Sequence, residues 1–155
     1  MAKNTVRVAI NGFGRIGRLA FRQMFGAKGY KVVAINDLTS PKMLAHLLKY
    51  DTAQGGYHGH TVTHKDPVLA EDGKTVLTPG AIIVDGKEIT IFAKANAAEL
   101  PWKKLHIDVV LECTGFYTSK AKSQAHIKQA PRKWLSPLPP ATTCPPSSTT
   151  STTPR

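Results

Sequence analysis

Apolar residues along this chain recur with two different periods. Val6-Arg7-Val8-Ala9-Ile10 is a short, β-branched run that reads as a strand. After Asn11 and the segment Gly12-Phe13-Gly14-Arg15-Ile16-Gly17, apolar residues return at helical spacing, at Ile16, Leu19, Ala20 and Met24. Lys31-Val32-Val33-Ala34-Ile35-Asn36 reads as a second strand and runs into Asp37. Ser40-Pro41 opens a second helix, with Ser40 as N-cap and Pro41 at the first helical position. Met43, Leu44, Leu47 and Leu48 form its apolar stripe through Lys49, and a glycine-rich loop with Gly55-Gly56 follows. The period then becomes strand-like. Ala81-Ile82-Ile83-Val84 and Lys87-Glu88-Ile89-Thr90-Ile91-Phe92 flank Asp85-Gly86, a strong hairpin signal. Leu100-Pro101-Trp102 is a turn, 107–112 another mostly apolar strand, and Ser119 caps a helix over 120–128. Strands alternating with helices predict an α/β domain. Its sheet is doubly wound and mostly parallel, with a small antiparallel hairpin insertion.

The glycines between the first strand and the first helix each have a mechanical role. Gly12 permits a tight turn, Gly14 lets backbone approach a ligand, and Gly17 lets the helix pack close to the sheet. The free N–H groups of the first helical turn then face the pyrophosphate of a dinucleotide. A strand before the motif and a helix after it make this more specific than an isolated G-x-G-x-x-G. Asp37 ends the next strand about 20 residues past the last glycine, where a carboxylate accepts from ribose hydroxyls. An acid there repels a 2′-phosphate, so NAD is expected over NADP. Cys113-Thr114-Gly115 forms another strand end, and ligands in open α/β sheets bind beyond such ends. Thr114 and Gly115 should therefore line the same crevice, with Cys113 a small buried hydrophobe.

A chain of 155 residues supports one sizeable core. Nothing in it resembles a membrane span, and its start lacks the apolar stretch of a signal peptide. Two cysteines cannot build a disulfide framework, so a reducing, cytoplasmic setting is expected and no membrane partner. The net charge of +11 would suit a nucleic acid, but the basic residues are spread along the chain and interleaved with acids. A solvated basic surface is the simpler reading.

Taken together, the chain resembles the glyceraldehyde-3-phosphate dehydrogenase family. The motifs are Ile10-Asn11-Gly12-Phe13-Gly14-Arg15-Ile16-Gly17-Arg18, Ile35-Asn36-Asp37-Leu38, Leu48-Lys49-Tyr50-Asp51, Leu100-Pro101-Trp102 and Glu112-Cys113-Thr114-Gly115. They stand in the family's order and spacing over residues 3–128. The resemblance implies a Rossmann-type NAD-binding domain over 1–128, from a cytoplasmic, homotetrameric enzyme of glycolysis. That enzyme oxidises glyceraldehyde 3-phosphate to an acyl phosphate with NAD and inorganic phosphate. The implied cofactor site comprises Asn11, Gly12, Phe13, Gly14, Arg15, Ile16, Gly17, Asn36, Asp37, Thr114, Gly115 and Ser119. In it Arg15 and Ile16 hold the pyrophosphate through their backbone, Asp37 the adenosine ribose, Thr114 and Gly115 the adenosine half, and Ser119 the nicotinamide side. Family members often carry a basic residue where this chain has Ala95, so that contact is left out.

The family's chemistry begins at a cysteine in a Ser-Cys-Thr-Thr-Asn motif, activated by a distant histidine. This chain has no such motif. Cys144 lies between Thr143 and Pro145, where the prolines prevent it from opening a helix, and all six histidines precede residue 127. No catalytic or metal-ligating residue is therefore assigned, and the catalytic domain is expected to be absent. From 129 to 155 the chain is rich in Pro, Ser and Thr without an acid, which predicts disorder. The family here continues with a segment resembling VVISAPAGNDLPTIV. Deleting the first base of one synonymous coding of it yields, in the new frame, the run from Trp134 through Ser148. The tail thus reads as out-of-frame sequence that replaces the last strand of the sheet, and marginal folding is expected. Two readings of function follow. One is the NAD-binding part of a glyceraldehyde-3-phosphate dehydrogenase, inactive as an isolated chain and not tetrameric. The other is a catalytically dead nucleotide- or RNA-binding module.

Overall fold

In a computed structural model, residues 5–73 and 75–116 are described in full and 133–135 as backbone. The elements in chain order are β1 (Val6–Asn11), α1 (Arg15–Met24), β2 (Tyr30–Asn36), α2 (Pro41–Lys49), and the short strands β3 (Tyr50–Asp51) and β4 (Gly55–Gly56). Then come β5 (Val62–Lys65), β6 (Val68–Leu69), β7 (Val76–Thr78), β8 (Gly80–Val84), β9 (Lys87–Phe92), a 3₁₀ turn at Ala97–Glu99, β10 (Val109–Glu112) and β11 (Lys133–Leu135).

Seven strands form one sheet in the order β11-β10-β1-β2-β9-β8-β5. β1 pairs in parallel with both β2 and β10, β2 with β9, and β10 with β11. β8 pairs antiparallel with β9 and with β5. The expected α/β sheet with its antiparallel insertion is therefore present. Asp85 and Gly86 turn the hairpin with φ of 49° and 75°, the two positive values of a type I′ turn. The chain builds outward from β1 to β2 and β9, then returns to the other side of β1 as β10. That reversal opens a crevice at the C-terminal ends of β1 and β10.

Val8, Ala9 and Ile10 are all buried, as expected of a parallel strand covered on both faces. On one face Phe13, Phe21, Leu44 and Leu48 pack against Ile10 and Ile35. On the other, Leu100, Trp102 and Ile107 pack against Ala9, Ala34 and Val110, so the Leu100-Pro101-Trp102 turn is a lid over the sheet. Ser40 caps α2 by accepting from the Met43 amide, with Pro41 in the first turn as the sequence requires.

Two expectations are corrected. The inner face of α1 is Gly17, Arg18 and Phe21, while Ile16 and Leu19 are 43% and 39% exposed. The contact of Gly17 with the preceding turn fixes the rotation of the helix, and Phe21 meets Phe13 edge-on with centroids 5.6 Å apart. On α2, Met43 is exposed and Pro41, Leu44, Ala45 and Leu48 face inward. Within the segment read as a disordered tail, Lys133–Leu135 forms β11, in register with Val109–Leu111 of β10. An open strand edge offers a row of unpaired N–H and C=O groups, and any extended backbone can fill it. Ser119, the helix over 120–128 and Cys144 lie outside the described residues. Among the described residues no helix is long and apolar enough to cross a membrane.

Two carboxylates staple loops to the core. Asp51 accepts from the amides of Gln54 and Ala53, each at 2.9 Å, and from Arg18 at 3.1 Å. Asp85 meets the His60 ring at 2.6 Å and accepts from the Thr61 amide at 2.8 Å. Both are held below the ordinary carboxylate value of 3.8, Asp51 chiefly by the Gln54 amide and Asp85 chiefly by His60. A carboxylate with a lowered folded value stabilises the fold above its unfolded value, and that contribution disappears as pH falls through the folded one. The urea midpoint should therefore drop as pH falls below the ordinary carboxylate value, and Asp51→Asn with Asp85→Asn should flatten the drop. An unchanged pH profile in the double variant would refute the attribution.

Candidate functional site

The crevice at the switch point is a cleft of about 620 Å³ at the ends of β1, β2 and β10. Its lining includes Asn11, Gly12, Asp37 and Thr114, together with Leu38 and Phe116, which are 70% and 76% exposed. Gly12 leaves β1 with a φ of 90°, and its amide donates to the Asn36 carbonyl at 2.8 Å. A Cβ on Gly12 would lie 2.7 Å from the Thr114 nitrogen and 2.8 Å from the Cys113 carbonyl carbon. The turns after β1 and β10 are thus in contact through a missing side chain. A Cβ on Gly17 would lie 2.1 Å from the Gly12 oxygen, whereas one on Gly14 would meet nothing within 4 Å. Gly12 and Gly17 close the packing, and Gly14 leaves space on the cleft side.

Gly14 is the N-cap of α1, and no side chain caps that helix start. The first-turn N–H groups of an α-helix have no acceptor within the helix. Together with the dipole they favour an anion there. Arg15 and Ile16, in this first turn, are exposed residues. Phe13 differs. Its ring is buried in the core and its amide donates to Asp37 Oδ2 at 2.8 Å. The other oxygen of Asp37 accepts from the Thr39 amide at 2.9 Å. Each carboxylate oxygen retains a further lone pair, so Asp37 can brace the glycine turn and still accept from a ligand hydroxyl.

Asn11 and Asn36 are buried, and their side chains bond along the floor rather than pointing into open space. Asn36 Nδ2 donates to Asn11 Oδ1 at 2.7 Å, and Asn11 Nδ2 donates to Glu112 Oε2 at 2.6 Å. Glu112 in turn accepts from the amide of Thr114 at 2.8 Å and from its hydroxyl. Gly115, with φ of 77°, continues the turn, and Phe116 donates its amide to Thr114 Oγ1 at 3.1 Å. Cys113 lines the cleft and is partly buried. Burial, reinforced by the charge of Glu112, pushes its thiol up to about 11. It is therefore a thiol, not a thiolate, near neutral pH.

The profile described as "Glyceraldehyde 3-phosphate dehydrogenase, NAD binding domain" matches residues 6–120. The chain belongs to the glyceraldehyde-3-phosphate dehydrogenase family. It is 50% identical over 127 residues to the glyceraldehyde-3-phosphate dehydrogenase of Clostridium pasteurianum, covering 82% of this chain and 34% of that protein. The enzyme of Lactobacillus delbrueckii subsp. bulgaricus is 48% identical over 136 residues, covering 84% and 36%. That of Thermotoga maritima is 46% identical over 129 residues, covering 82% and 34%. The chain thus spans about a third of the length of these curated relatives. Its matched region is the NAD-binding domain of this oxidoreductase family, with NAD as the cofactor.

Sequence reasoning brought together Gly12, Gly14, Asp37 and Thr114, which all line the cleft, and placed Gly17 correctly as a packing glycine. It missed Glu112, Lys94, Leu38 and Phe116. Glu112 carried a usable signal, because a charge inside an otherwise apolar strand that ends at a ligand crevice needs buried partners. Leu38 and Phe116 carried none, since exposed apolar residues are common at the surface.

Gly17→Ala should destabilise the domain, because the new methyl must displace the Gly12 backbone. The cost expected for such overpacking is about 1–3 kcal/mol or more, read as a shift in urea midpoint at constant slope, whereas Gly14→Ala should be far milder. A thiol reagent should label Cys113 slowly near neutral pH, with the rate rising as pH approaches about 11. Fast labelling at neutral pH in a Cys144→Ser background would contradict that environment.

Proposed function

We propose that this chain supplies the nucleotide-binding part of an NAD-dependent, phosphorylating glyceraldehyde-3-phosphate dehydrogenase. The observation that carries this reading is the uncapped start of α1 at Gly14, opening on a cleft bounded by Asp37 and Thr114. The residues present fit the cofactor. Space at Gly14 admits a pyrophosphate against the Arg15 and Ile16 amides, as at other helix N-termini. Asp37 accepts from the adenosine ribose, and Thr114 and Gly115 border the adenosine half. Asn11, Gly12 and Asn36 build the floor and the turn at the cleft, and Phe13 and Gly17 act behind them. When bound, NAD supplies the hydride acceptor for oxidation of the aldehyde.

In the whole enzyme, which we take to be a cytoplasmic homotetramer, the substrates are glyceraldehyde 3-phosphate and inorganic phosphate. The 155-residue polypeptide by itself is a binding protein. Its cleft thiol, Cys113, is held protonated and is no nucleophile at working pH. No histidine lines the cleft among the described residues.

Calorimetric titration of the chain should show NAD bound more tightly than NADP. Asp37→Ala should weaken NAD and narrow the difference by on the order of 1–3 kcal/mol, since a hydrogen bond to a charged group is lost. Equal affinity for the two nucleotides in the parent chain would refute the role of Asp37. With NAD, phosphate and glyceraldehyde 3-phosphate together, the polypeptide should form no reduced nicotinamide above background. Turnover abolished by Cys113→Ser or Cys144→Ser would overturn the binding-only reading.

A further inference from the structure

The side chains beneath the cleft form a row with a fixed direction. At one end the Lys94 amide donates to Asn36 Oδ1 at 2.9 Å, while Asn36 Nδ2 donates to the Lys94 carbonyl at 2.9 Å and to Asn11 Oδ1 at 2.7 Å. Asn11 Nδ2 donates to Glu112 Oε2 at 2.6 Å. At the other end the Thr114 amide and hydroxyl both donate to Glu112 Oε1. Both ends are anchored by backbone groups, whose donor and acceptor identities are fixed, so neither asparagine can flip without placing donor against donor. Glu112, Asn11 and Asn36 also occupy matched positions on neighbouring strands β10, β1 and β2. The row is thus a crossbar over three strand ends, and its donors run toward one carboxylate that is 2% exposed.

We propose that Glu112 is a positioning residue for the nucleotide, clamping the end of β1 to the turn after β10. The inference rests on the reading of the cleft as the NAD site. Glu112 needs no contact with the ligand. One oxygen takes the β1 side through Asn11 and the other takes Thr114, whose backbone lies against Gly12 at the distance where a Cβ would collide. A shift of Thr114 therefore displaces the glycine turn and the cleft wall together. A carboxylate suits this post because it accepts on both oxygens, whereas a carboxamide must present N–H on one side to a group that is already a donor. A buried carboxylate in turn requires such donors.

The direction of the row supplies a reciprocal test in the 155-residue chain. Glu112→Gln sets an N–H₂ against the amide of Asn11 or of Thr114. Asn11→Asp sets one carboxylate against another. The double variant Asn11→Asp with Glu112→Gln reverses a single link: the new amide at 112 donates to the new carboxylate at 11, and the bonds to Asn36 and Thr114 are kept. At temperatures well below each unfolding midpoint, each single variant should bind NAD at least about tenfold more weakly. The double variant should return to within about threefold of the parent. Exchange of the Thr114 amide, measured without ligand, should be slow in the parent and the double variant and faster in both singles. Singles that bind like the parent, or a double variant no better than either single, would overturn the proposal. If the singles do not fold, the double variant alone decides: folding with near-parent affinity supports the clamp, and failure refutes it. If the parent binds no NAD, the reading of the cleft fails, and Thr114 exchange judges the clamp separately. Equal exchange in all four chains would remove it.

Discussion

The carbonyl oxygen of Gly12 occupies the space that a side chain on Gly17 would need. That single steric constraint seats α1 on the sheet, and most of the site follows from it. With the helix pressed onto the turn, Phe21 reaches Phe13 and Ile10, and the rotation of α1 brings Arg18 inward. The Arg18 guanidinium then binds the Phe13 carbonyl at 3.1 Å and Asp51 at 3.1 Å, tying the glycine turn to the segment after α2. The same seating aims the first turn of α1 at the crevice between β1 and β10. Helix position, loop position and anion site are one geometric fact.

How much of this could be read from the sequence depends on how far apart the interacting residues lie. Ser40-Pro41 and Asp85-Gly86 act within four residues, and their helix start and hairpin turn were legible because local backbone chemistry decides them. The glycine fingerprint was legible for a similar reason, with strand, turn and helix contiguous. The inward face of α1 was not. Apolar spacing pointed to Ile16 and Leu19, but contact with a turn outside the helix set its rotation. Glu112 escaped because its partner Asn11 is 101 residues away, and only the pairing of β10 beside β1 brings them level. Asp37 lines the cleft at the strand end where the spacing put it, with a partner the spacing did not give. Its hold on the Phe13 amide is a tertiary bond that no local pattern announces.

Two carboxylates brace the strand ends at the cleft, Asp37 after β2 through the Phe13 amide and Glu112 at the end of β10 through Asn11 and Thr114. Asp37 keeps acceptor capacity toward the cleft, whereas Glu112 is buried and turned to the protein. The first can meet ligand hydroxyls and the second governs shape. Cys113, between Glu112 and Thr114, is kept protonated by the burial that this arrangement needs. The binding floor is thereby chemically quiet, a suitable property for a surface that holds a cofactor and leaves reaction to other groups.

β11 joins the sheet through main-chain pairing with Val109, Val110 and Leu111. A backbone ladder carries no sequence identity, so the outer rail of a parallel sheet is its most permissive position. Interior strands such as β1 must satisfy two neighbours and two packed faces at once, and nearly every residue there is committed. Inheritance of such a sheet is correspondingly uneven. Its centre constrains each side chain from several directions at once, while its margin asks chiefly for backbone that can extend.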